Sequence, residues 1–93
     1  MDTFDLADAA LAAGTAAKHA QIASNIARMA QEDAAHAVDC ADDSEMVEEY
    51  AESARALALK AVEEAEFAAR IARRAERILY AFYQEMVKEE EEN

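Results

Sequence analysis

Proline and tryptophan are absent from this 93-residue chain, and Gly14 is its single glycine. Sheets with tight hairpins and long flexible linkers need such punctuation, so neither is expected. Cys40 is alone and excludes an internal disulfide. No run of about eighteen apolar residues is present, which excludes a membrane-spanning helix. The first ten residues, MDTFDLADAA, are acidic and do not resemble a basic targeting segment. A reducing, cytoplasmic setting is the expectation.

Bases are also scarce: nine Lys and Arg stand against 21 Asp and Glu, for a net charge of −12. That surplus argues against direct binding of nucleic acid or an anionic membrane, and favours basic proteins, cations or simply solubility, with a protein partner of basic surface as the expectation. Catalytic groupings are missing too. Ser24, Ser44 and Ser53 have no base and acid placed around them in the sequence, and no glycine-rich phosphate loop exists. The chain is therefore expected not to be an enzyme and to carry no cofactor.

What the chain has is alanine, at a fixed spacing. Leu6 is followed by ten alanines at 9, 13, 16, 20, 23, 27, 30, 34, 37 and 41. A second series runs from Val47 through eight alanines at 51, 54, 58, 61, 65, 68, 72 and 75, to Leu79, Phe82 and Met86. Alternating steps of three and four mark the a and d rows of a helix packed lengthwise on another helix. Ala13 to Ala41 and Ala51 to Ala72 supply row a; Ala9 to Ala37 and Ala54 to Ala75 supply row d. The expected fold is all-α: an antiparallel two-helix hairpin with an alanine-seamed coiled-coil contact.

One domain covers residues 1–93. Asp2 or Thr3 caps helix one, which runs over about 3–41. Asp42, Asp43 and Ser44 are successive good N-cap residues and form the turn. Helix two covers about 45–88, and the Glu89–Glu92 repulsion frays the tail over 89–93. A turn this tight sets Ala23 against Ala61 and Leu6 against Leu79, with the end of helix two overhanging.

Alanine buries little area, so the bulk must sit elsewhere. Ile26, Tyr50, Leu57, Ile71 and Ile78 fall in row g, and Ile22, Met29 and Phe67 in row c. These eight are expected to form one apolar flank that needs a cover, the simplest being a second copy in a homodimeric four-helix bundle. His19, also in row g, belongs with that interface. Tyr80, Phe82 and Tyr83, with Phe4, Leu6 and Leu11, are expected to close the open end.

Charge is segregated along the rod. Between Arg28 and Arg55 no base occurs, while Glu32, Asp33, Asp39, Asp42, Asp43, Glu45, Glu48, Glu49 and Glu52 carry −9 of the total. The candidate partner-binding surface is the tip formed by Asp39, Asp42, Asp43, Glu45, Glu48, Glu49 and Glu52. Arg70, Arg73, Arg74 and Arg77 make a basic waist read as exposed ion-pair partners. Asp33, His36 and Cys40 share a helical surface and are all ligand types, but no fourth ligand accompanies them and no metal is expected.

Two functions fit. The first is a non-enzymatic inhibitor whose carboxylates occupy the basic, nucleic-acid-binding surface of a target protein, as nucleic-acid mimics of phage do against defence machinery. The second is a structural or assembly module, an adaptor or export chaperone acting through the apolar flank.

Overall fold

A computed structural model describes the backbone of residues 3–92 and the side chains of residues 5–92. Two helices, α1 (Thr3–Asp39) and α2 (Ser44–Glu92), make up the fold, with no strand among the described residues. Asp2, one of the two expected caps of α1, lies outside those residues, as does the side chain of Phe4. The Glu run does not end α2 at Lys88: the helix continues through Glu92.

Helix is dictated locally by alanine, glutamate, arginine and leucine, the strongest helix formers. The break between the helices is short and contains no positive φ. Cys40 N–H still donates to the His36 carbonyl at 3.0 Å, and Ala41 N–H then tightens to the Val38 carbonyl at 3.3 Å. Asp43 N–H donates to the Cys40 carbonyl at 2.8 Å and closes the turn. Of the three candidate caps, Asp43 is the one that engages: its Oδ1 accepts the Met46 N–H at 3.3 Å, relieving an orphan donor at the start of α2.

Cross-helix contacts fix the pairing as antiparallel. Asp8 meets Arg74, His19 meets Glu64 and Phe67, Asp33 meets Ser53, and His36 meets Tyr50. In each pair the two residue numbers add to between 82 and 86, so the chain folds straight back on the short turn. The result is a rod of 75 × 18 × 14 Å. Its radius of gyration of 21.0 Å compares with about 12 Å for a compact domain of this length.

Burial shows how the helices are turned. Among the described residues, Ala9, Ala16, Ala23, Ala61, Ala68 and Ala75 are buried, and all six belong to row d. Row g lies beside them half-buried: Ala12, His19, Ile26, Asp33 and Cys40 on α1, Tyr50, Leu57, Glu64, Ile71 and Ile78 on α2. Row a is exposed along both helices, from Ala13 to Ala41 and from Ala51 to Met86. The hairpin therefore closes on rows d and g instead of a and d.

The physical reason is side-chain size. Isoleucine and leucine in row g carry three more carbons than the alanines of row a, each worth about 0.8 kcal/mol when buried. Rotating both helices toward the larger side chains hides more apolar surface. The expected flank is corrected accordingly. Ile22, Ile26, Tyr50, Leu57, Ile71 and Ile78 are half-buried, and only Met29 (48%) and Phe67 (39%) stay exposed.

Candidate functional site: an acidic tip and an open alanine groove

The turn brings Asp39, Asp42, Asp43, Glu45, Glu48, Glu49 and Glu52 together at one end of the rod, and all seven are exposed. Apart from the Asp43 cap, no hydrogen bond or ion pair engages these carboxylates among the described residues. Neighbouring Asp33 differs: it accepts the Ser53 hydroxyl at 2.5 Å and ties α1 to α2. Unneutralised charges so close repel one another and raise the negative potential at the tip.

The basic waist is more engaged. Arg74 reaches Asp8 across the helices at 3.2 Å, with both side chains more than half exposed. Arg70 lies over the Phe67 ring, 5.9 Å from its centroid, at cation–π distance. Arg73 and Arg77 are exposed.

Asp33, His36 and Cys40 do not converge. Asp33 turns to Ser53, and the His36 ring packs tilted on Tyr50 at 5.3 Å between centroids. Cys40 is a half-buried free thiol in the turn. No group of three or more His, Cys, Asp or Glu among the described residues is arranged to hold a metal ion. Another polar contact between the helices lies at mid-rod. His19 Nδ1 donates to Glu64 Oε2 at 2.8 Å, and its ring meets Phe67 edge-on at 4.7 Å.

The open end is not closed by its aromatic residues. Leu11 is 71% exposed, Tyr80 63% and Tyr83 60%, while Leu6 and Phe82 are half-buried.

Sequence reasoning missed the feature on the face bearing row a. There a shallow apolar groove runs between the helices, lined by Ala13, Ala16, Ala20 and Ala23 of α1 and by Ala65, Ala68, Ala69, Ala72, Ala75 and Leu79 of α2, with Glu76 and Tyr80 at one end. A Cβ added at Gly14 would have nothing within 4 Å. Val38 and Val62, in the adjoining row e, are each more than half exposed. The signal was available in the breadth of the stripe: rows a, d and g are all apolar over most of their length, and one helical partner cannot cover three rows.

No helix among the described residues is long and apolar enough to cross a membrane. No protein-family model, curated protein or solved structure matches this chain.

Proposed function

We propose that this chain is a non-enzymatic protein-binding module: a stiff hairpin that pairs with a second copy as a four-helix bundle and docks its acidic tip on a basic surface of a target protein. An inhibitor occupying a nucleic-acid-binding surface is the form of this reading that the charge favours. The observation that carries it is the set of seven exposed tip carboxylates, none of which forms an ion pair among the described residues. Their mutual repulsion opposes folding, and a cationic groove on a partner relieves it while steering the encounter.

The test is capture from lysate of the native host, with the retained protein identified by mass spectrometry. Asp39, Asp42 and Glu49 are changed together to lysine, leaving the Asp43 cap in place. Wild type retains a basic protein that a DNA or RNA oligonucleotide then displaces, and the triple variant does not retain it. Equal retention by the variant at moderate salt contradicts the reading.

The open groove favours a second reading, an assembly module such as an adaptor or export chaperone. On that reading the triple variant keeps its partner, and changes in row a lose it.

A further inference from the structure

We infer that the alanine groove is the seat of a second copy of this chain, packed antiparallel about a two-fold axis that crosses α2 near Ala61 and Val62. The inference rests on the self-pairing reading above and gives that pairing its face and register. The two rows of the sequence repeat have separate partners: row d faces the other helix of the same hairpin, and row a faces the other hairpin. Rows a and d then both point to the centre of a four-helix bundle, the arrangement that a three-four repeat specifies.

Area and charge argue for a second copy as the occupant. The accessible surface is 7073 Å², against roughly 5,300 Å² for a compact monomer of this mass. The alanine-rich stretch over residues 44–79 spans about 50 Å of rod at 1.5 Å per residue. At a width of 18 Å its footprint is about 900 Å² per copy, against the ~800 Å² per partner that stable complexes hide.

The register follows from two patterns that have no reason to agree unless they serve one contact. Row a of α2 is symmetric about a point between Ala58 and Ala65, so that Ala51 meets Ala72 of the second copy and Ala58 meets its Ala65. On α1, row a as a whole, from Leu6 to Ala41, centres on the same level of the rod. Placed there, the two-fold lays the acidic segment 45–52 along the segment 71–78, where Arg73 and Arg77 are exposed and Arg74 is held by Asp8 on the opposite face. On the rim beside the groove, Glu52 and Arg73 are three heptads apart in one row, and each falls two residues, about 3 Å along the axis, from the level of the other's counterpart. Glu76 approaches Glu48 in this register, with Arg73 and Arg77 on either side of it. A shift of one heptad either way sets 45–52 against 78–85 or 64–71, where bases are fewer. A parallel pairing sets tip against tip.

Cysteine crosslinking tests face and register together. In a Cys40→Ser background, Val62→Cys is on the groove face, 53% exposed in the single hairpin, and adjacent to the axis. Under mild oxidation this variant is expected to form a covalent dimer, the thiols at position 62 of the two copies joining as a disulfide. Leu11→Cys, on the opposite face, is not. Charge reversal supplies a second readout by sedimentation. Arg73→Glu and Glu52→Arg are each expected to raise the dimer dissociation constant about tenfold at low salt, since each acts twice in a symmetric pair, and the double variant returns it to within about threefold of wild type. A dimer that crosslinks through Leu11→Cys instead, or one whose double variant is as weak as the single ones, overturns the groove and its register while leaving self-pairing intact. A folded wild-type monomer overturns both.

Discussion

Gly14 and Ala16 stand two residues apart in α1 and provide paired probes of the packing. Gly14 is exposed and helical, without positive φ, and a Cβ added there meets nothing within 4 Å. Gly14→Ala therefore gains the full helix-propensity difference, about 1 kcal/mol, with no steric term to oppose it. Ala16 is 7% exposed in row d. Ala16→Gly loses the same ~1 kcal/mol of propensity and also a buried methyl worth about 0.8 kcal/mol, for a destabilisation near 2 kcal/mol. Urea and thermal unfolding followed by helical circular dichroism, at one fixed protein concentration because association shifts the midpoint, measure both. Gly14→Ala is expected to raise the thermal midpoint by roughly 4–8 °C, and Ala16→Gly to lower it by about twice that. Equal and opposite changes would show that Ala16 packs against nothing. A loss of stability in Gly14→Ala would show that residue 14 faces a close neighbour.

Other substitutions probe the turn and the mid-rod contact. Asp43→Ala is expected to cost about 1 kcal/mol through loss of the cap on Met46 N–H, and Asp42→Ala next to nothing, as read from urea midpoints. His19→Ala removes both the Glu64 hydrogen bond and the Phe67 edge contact, and about 1–2 kcal/mol should be lost. If Phe67→Ala and His19→Ala prove additive in a double-mutant cycle, the ring contact carries no coupling and that account of mid-rod packing fails.

The helical hairpin was legible from spacing alone. The alanine repeat breaks between Ala41 and Val47, but the turn forms at Cys40 to Asp43 instead of the expected 42–44: α1 ends at Asp39, and Ser44 already belongs to α2. Ala23 was expected near Ala61, and the His19–Glu64 and Asp8–Arg74 contacts keep that alignment. The rotation of the helices was not legible. Periodicity identifies apolar rows but not which row meets which neighbour, and Ile26 beside Ala27 or Leu57 beside Ala58 leaves that choice to area. The larger residue wins in both cases, since Ile26 and Leu57 are half-buried while Ala27 and Ala58 are exposed. The acidic tip needed only the sequence, because clustering of charge survives any rotation. The groove needed the structure, because it exists only once row g has been drawn inward.

The central claim is that one hairpin is half of a bundle. Row d is buried, row a is not, and no large side chain among the described residues is fully buried. Sedimentation equilibrium over the micromolar range tests this most directly. The account predicts a helical species of twice the 10.2 kDa chain mass, dissociating with loss of helix on dilution. A single-copy species that stays fully helical across that range would contradict it.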